Sequence, residues 1–323
     1  MGSLVNYVLR RVLFAIPVFL AVSILTFFAT NGVANPYDIV RFGIHNPSAA
    51  QLDALKAYFH YDDPVYVRYF LWLSQFLQGD MGKSLYTGTV ASNILPWIAT
   101  TLELQVPALL LSLAIGIPIG VYSAKHQYSK TDLGVSTAAI FGYSTPTFWL
   151  GIIAIIIFSA DLHWLPSAGA VSGYPPYWWG NIYLDSLAHA ILPLSVLTFV
   201  SLATIVRLVR ANMLDILRQD FVLAARASGL SEWTVTYKHA LKNAITPIVT
   251  VVGLGFGVLL AGAPALETTF SWPGLGYEYV LAVGKLDLPL VQGLTMIIAI
   301  MVLGANVFTD LAYALLDPRV RLG

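Results

Sequence analysis

Six stretches of this chain are each long enough to cross the hydrocarbon core of a bilayer and are nearly empty of charge. A crossing helix needs about 20 apolar residues. The candidates are residues 12–29, 101–124, 133–159, 186–206, 244–266 and 288–316. Backbone polar groups cannot go unpaired in lipid, so segments of this kind fold as helices. Only 11% of the 323 residues are charged, where a soluble domain carries about a quarter. The expectation is an all-α integral membrane protein with six transmembrane helices. No cleavable signal peptide is expected, because the first apolar run is too long and lacks a small-residue cleavage site.

Orientation follows from the basic residues in the short flanks. Arg10 and Arg11 precede the first span, and Lys125 and Lys130 follow the second. Arg207, Arg210, Arg218, Arg226, Lys238 and Lys242 follow the fourth, and Arg319 and Arg321 the sixth. That puts twelve of the 17 Lys and Arg on one side. The opposite short loops, 160–185 and 267–287, hold only Lys285. Both termini and the loop at 207–243 are therefore expected in the cytoplasm, in a multi-pass protein of the cell membrane.

Three parts are expected: residues 1–30 with the first span, 31–98 as an extracytoplasmic helical subdomain, and 99–323 as a core of five spans. Ser48 and Gln51 form a capping box ahead of a short helix, Asp62-Asp63-Pro64 ends it, and 65–77 reads as a second, aromatic-rich helix. Gly79-Asp80-Met81-Gly82-Lys83-Ser84 then turns the chain. Its Gly-Lys-Ser is not a phosphate loop, since that motif needs a glycine where Leu77 stands and this segment is expected outside the cell.

Several function classes are excluded by composition. The formal net charge is zero, which argues against a nucleic-acid footprint. There is no cysteine, and the six histidines are scattered without metal-ligand spacing. Glu103, Glu267 and Asp310 sit near span ends, and His189 near the outer end of the fourth span reads as a packing or capping residue. An ion-coupled carrier would place a carboxylate or histidine at mid-membrane, and an enzyme would offer an acid, base or nucleophile. Neither pattern is present, so no catalytic or metal residues and no bound cofactor are expected. Pro107, Pro118, Pro146, Pro193 and Pro247 interrupt spans, which suits helices that line a pathway.

The largest polar interruption, 207–247, is patterned. Met213, Ile216, Leu217, Phe221 and Ala224 recur at helical spacing. Gly229 suits a left-handed helix cap, Ser231 can start a second helix, and Glu232 favours its first turn. Trp233, Tyr237, Ala240 and Leu241 mark one face of that helix. The pattern alone leaves two readings, helices lying on lipid headgroups or a hairpin held by a partner. A chain that lacks an energy source of its own favours a partner ATPase.

Leu223-Ala224-Ala225, three residues, Gly229, nine residues and then His239-Ala240-Leu241-Lys242 resembles the signature loop of binding-protein-dependent ABC importers. The general form is Glu-Ala-Ala, Gly and Ile-x-Leu-Pro, so Leu223, His239 and Lys242 depart from it. The run Ala224–Ser231 with His239–Ala244 resembles the variant of the peptide/nickel permease family, in the first of its two permease subunits. The likeness extends to Gly79-Asp80-Met81-Gly82, Trp164-Leu165-Pro166, Glu267-Thr268, Trp272-Pro273-Gly274 and Asp317-Pro318-Arg319. It implies a type I ABC importer permease fold. It also implies a heterodimer with a second permease, one or two cytoplasmic ABC ATPase subunits carrying ATP and Mg, and an extracytoplasmic solute-binding protein. By position, Ala224, Ala225, Ala227, Ser228, Gly229, Leu230, Ser231, Glu232, Trp233 and Leu241 would couple to the ATPase. Asp62, Asp63, Gly79, Asp80, Gly82, Glu267, Trp272, Pro273 and Gly274 would receive the binding protein. The expected cargo is a di- or oligopeptide, with an oligosaccharide or nickel as alternatives. The competing classes are an ion-coupled secondary carrier and a non-transporting membrane anchor.

Overall fold

The computed structural model describes residues 2–33, 48–84, 86–175 and 178–316. In chain order the helices are α1 (Gly2–Val33), α2 (Ala49–Tyr58) and α3 (Val65–Leu77), followed by a two-stranded antiparallel ribbon, β1 (Lys83–Ser84) with β2 (Gly88–Thr89). Then come α4 (Val90–Lys125), α5 (Lys130–Ser144), α6 (Thr147–Ala154) with a π-helical continuation (Ile155–Asp161), and α7 (Ile182–Leu217). Next are α8 (Asp220–Ala227), a π-helical segment (Thr234–Ala240) and α9 (Leu241–Ala244). The chain closes with α10 (Thr246–Leu260), α11 (Pro264–Thr269), α12 (Leu275–Gly284) and α13 (Leu288–Leu316). Residues 34–47 of the expected outer subdomain and the Asp317–Arg321 end lie outside the described residues.

Two compact units emerge, and they cut the chain along a different line from the three parts read in the sequence. One draws on Met1–Thr101, Leu260–Pro264 and Pro273–Gly323, the other on Leu102–Leu259 and Ala265–Trp272. In the first, α1 packs along α13. The amphipathic α3 buries Tyr69, Leu73 and Phe76 at helical spacing. Phe27 of α1 meets Tyr69 and Trp72 at ring distances of 5.5 and 5.4 Å, and Ser23 shares a 2.8 Å hydrogen bond with the Tyr69 hydroxyl. The core of this unit is Val90, Ile94, Leu275, Leu290, Leu294 and Met296. In the second unit α5 and α6 both pack on α7.

The helical class is as expected, and the spans differ in detail. Among the described residues, four helices are long and apolar enough to cross a membrane by themselves: α1 from Leu9, α4, α7 and α13 to Leu311. The expected span at 133–159 is α5 and α6 bent by 103°. Thr145 is extended there (φ −90°, ψ 130°) because the ring of Pro146 disfavours the helical region for the residue before it. The expected span at 244–266 contains α10, a helix of 15 residues. At 1.5 Å per residue it covers roughly 22 Å, short of the roughly 30 Å core. By contrast α4 and α7 have 36 residues each, about 54 Å, and overrun that core. The stretch read as a loop from residue 207 is thus, at first, the end of α7.

Candidate functional site

The hairpin after α7 is built by three local rules. A break at Arg218-Gln219 ends α7 and starts α8, whose first turn carries Asp220 where the helix dipole favours an anion. Gly229, at φ +78°, ends α8. Its N–H donates to the Arg226 carbonyl at 2.9 Å and that of Leu230 to the Ala225 carbonyl at 3.4 Å, the two bonds of a Schellman cap. A Cβ at Gly229 would meet nothing within 4 Å, so glycine serves the backbone angle there and not the space. Ser231 opens the return helix, its Oγ accepting from the Thr234 N–H at 3.3 Å. Arg226 and Glu232 pair across the turn at 3.0 Å.

The hairpin is seated on a core of its own. Val222, Val235, Ala240 and Ala244 are buried with Val121, Val209 and Met213. Two sequence assignments are corrected here. Phe221 is 40% exposed while Val222 is fully buried, because the break at Arg218-Gln219 rotates α8 away from the stripe that Met213 begins. Trp233 and Tyr237 do not share a face with Ala240: Trp233 is 68% exposed and its ring lies tilted against that of Tyr237, 5.3 Å between centres. The π-helical segment explains it, since its wider turn puts residues five apart, Val235 and Ala240, on one side. Of the coupling candidates, Ala225 and Leu241 pack towards the core. Ala224, Ala227, Ser228, Gly229, Leu230, Ser231, Glu232 and Trp233 face outward.

An ion pair that sequence reasoning missed holds the end of α7. Arg210 Nε and Nη2 donate to the two Asp132 carboxylate oxygens at 2.6 and 2.8 Å. Asp132 also accepts from the Ser123 hydroxyl and from the Tyr128 N–H at 2.9 Å, and its own N–H donates to Ser129 Oγ at 3.1 Å. A bidentate, fully hydrogen-bonded pair fixes two helices in direction as well as distance. The available signal was the Ser-x-x-Asp capping box at Ser129–Asp132. Asp185 is a second buried carboxylate, accepting from the Ser172 N–H and hydroxyl at 2.6 and 2.8 Å and from the Trp178 N–H at 2.8 Å. His189 is buried with Nδ1 2.8 Å from the Asp185 carbonyl, a packing role as read from the sequence.

The outer candidates divide. Gly79 and Gly82 take positive φ, and Asp80 accepts the Gly82 N–H at 3.0 Å, closing the turn. The Ser84 of the rejected phosphate motif instead donates to Asp287 at 2.5 Å, ahead of α13. Asp62, Asp63, Gly79 and Asp80 are exposed and Gly82 half-buried. Glu267 and Trp272 are each 1% exposed, which corrects their placement as contact residues: no side chain of theirs is offered to a docking protein. The Trp272 N–H donates to the Glu267 carbonyl at 2.8 Å, so the two close a buried turn. Pro273 is half-buried, and the buried Gly274 precedes α12.

Known proteins resemble this one closely. Residues 116–322 match the family described as binding-protein-dependent transport system inner membrane component. An oligopeptide transport system permease protein of Bacillus subtilis is 37% identical over 97% of this chain and 98% of its own length. The dipeptide transport system permease protein of Escherichia coli K12 is 35% identical over 98% and 99%. A di/tripeptide transport system permease protein of Pseudomonas aeruginosa is 36% identical over the same shares.

Proposed function

We infer the role of this chain from the premise that it belongs to the family of binding-protein-dependent transport system inner membrane components. It is a multi-pass permease subunit of an ABC importer, not an ATPase. Its cargo is a di- or oligopeptide, as in the named functions of its relatives. Both termini and the hairpin face the cytoplasm, following the basic residues. A second permease completes the pathway as a heterodimer, and ATP and Mg bind to partner ATPases.

The hairpin is where the ATPase holds this subunit. The observation that carries this reading is the division of its surface. Val222, Val235 and Ala240 are used up in its own core, yet Leu230 and Trp233 remain exposed beside small residues at the Gly229 turn. Exposed apolar side chains grouped around a rigid turn mark a contact surface. ATP-driven closure of the ATPases would pull on the turn. The stiff end of α7, tied by Arg210 to Asp132, would carry that displacement into the spans.

Gly229→Asp tests this reading in proteoliposomes holding the whole importer. Open space around the glycine limits the folding cost to backbone strain of about 1–2 kcal/mol. The expected result is normal membrane insertion with at least a tenfold loss of ATP-driven dipeptide uptake. Full uptake with coupled ATP hydrolysis would refute the docking assignment. Uptake of an oligosaccharide or nickel in place of a peptide would change the cargo and leave the coupling intact.

A further inference from the structure

The first compact unit holds a charge with no counter-charge among the described residues. Arg68 lies on α3, which is not itself a candidate span, and lines a small pocket with Asn31, Trp72, Gln75, Asp80 and Gln292. Its Nη2 donates to the neutral Asn31 Oδ1 at 2.5 Å, and its guanidinium carbon lies 5.6 Å from the centre of the Tyr61 ring. The Nε is buried and has no hydrogen-bond partner among the described residues. No carboxylate lies within ion-pair distance of Arg68 among them either. The one acid in the lining, Asp80, accepts the Gly82 N–H at Oδ1 and forms no ion pair with Arg68. Burial pulls the guanidinium below the ordinary arginine range, opposed by the Tyr61 phenol and by no carboxylate. Arginine presents a planar fork suited to two carboxylate oxygens, and a half-buried guanidinium held only by an amide and a ring leaves that fork unused.

We propose that this pocket receives a carboxylate, supplied by an acidic side chain of the extracytoplasmic binding protein as it docks. The geometry sets the size of the guest. The cavity is ≈ 60 Å³, room for about four waters at about 15 Å³ each. A carboxylate head group fits and a dipeptide does not, so the bearer of the carboxylate stays outside the pocket. Gln75 adds an amide to the lining that suits a carboxylate oxygen, while Gln292 Nε2 already donates to Thr30 Oγ1 at 2.6 Å. Asp80 and Gly82 place the pocket at the turn already singled out for docking, and add Arg68 as its anchor. The idea rests on the proposed function, which supplies the binding protein; with both termini in the cytoplasm, α3 and the turn after it lie on the outer side.

The test uses the complete importer in nanodiscs, its own binding protein, and Arg68→Gln and Arg68→Lys variants. Affinity for the binding protein, basal ATP hydrolysis and permease melting temperature are all measured. Removing the partner of a buried charge pair weakens association by about tenfold or more. The expected result is a loss of that size in Arg68→Gln, a smaller one in Arg68→Lys, unchanged basal hydrolysis, and a melting temperature that holds or rises. A structural arginine would behave in the opposite way, lowering the melting temperature while leaving affinity intact, and that outcome overturns the proposal. So does unchanged affinity with a raised KM for free dipeptide, which would make the solute's own carboxylate the guest. If the wild-type complex neither binds its binding protein nor imports with ATP, the failure belongs to the proposed function.

Discussion

Arg210 and Arg68 are both partly buried arginines on apolar helices, and they are treated in opposite ways. Arg210 meets a carboxylate through two parallel hydrogen bonds, and that carboxylate has a hydroxyl and a backbone N–H besides. Arg68 meets one amide oxygen and a tyrosine ring. A buried charge costs several kcal/mol unless it is paired. The complete shell around Arg210 therefore reads as structure, and the incomplete one around Arg68 as a place kept for a partner.

The sharpest way to break this comparison is to make Arg210 resemble Arg68. Asp132→Asn keeps the shape and removes the counter-charge. Leaving one member of a buried pair alone costs about 3–5 kcal/mol, so the detergent-solubilised permease should show a large fall in melting temperature or fail to accumulate in the membrane. Asp132→Leu with Arg210→Met should recover most of the loss, since the penalty lies in the orphaned charge. If Asp132→Asn is as stable as the wild type, the pair does not hold α7.

How much of this was legible beforehand depends on how far each feature reaches along the chain. The apolar runs, the Gly229 cap and the outer turn are local, and composition or a single φ requirement revealed them. Pro146 was visible as an interruption. That it breaks a span by 103° depends on what the two halves pack against. The inward face of the hairpin was misread because helical spacing assumes 3.6 residues per turn, and the segment from Thr234 to Ala240 is a π-helix. Asp132 and Arg210 are 78 positions apart, and nothing in either neighbourhood names the other. Glu267 and Trp272 looked like docking residues for the same reason: burial belongs to the fold.

A second contrast separates two uses of glycine. At Gly120 a Cβ would fall 2.6 Å from Val209 Cβ and 3.0 Å from the Val206 carbonyl oxygen, so α4 and α7 approach through a missing side chain. Gly120→Ala should cost about 1–3 kcal/mol by forcing the helices apart. Gly229→Ala, with open space around it, should cost about 1 kcal/mol in backbone strain alone. Melting temperatures of the two variants in one detergent check the order. Equal losses would mean that the α4–α7 contact yields more easily than its distances suggest.

Opposite in sign is Thr236, fully buried in the hairpin core with a hydroxyl that has no partner among the described residues. A buried unpaired polar group costs about 1–3 kcal/mol. Thr236→Val keeps the branched shape and removes the orphan, so the permease should melt at the same temperature or a few degrees higher. Marked destabilisation would show that the hydroxyl has a hydrogen-bond partner in the folded protein.

The smallest effect belongs to the most visible ion pair. Arg226 and Glu232 bridge the Gly229 turn at 3.0 Å, with side chains 39% and 57% exposed, open to water and salt. Such pairs contribute about 0–1 kcal/mol, because solvent screens the attraction and two long side chains lose freedom to make it. Arg226→Ala should lower the stability by no more than about 1 kcal/mol, and Glu232→Ala likewise. The Schellman cap and the core under Val222 and Val235 hold the turn without them. If instead either variant loosened the hairpin, seen as faster amide exchange at Gly229 and Leu230, the turn would depend on its surface charge. The contrast drawn from Arg210, that pairing matters in proportion to burial, would then fail where it is simplest to measure.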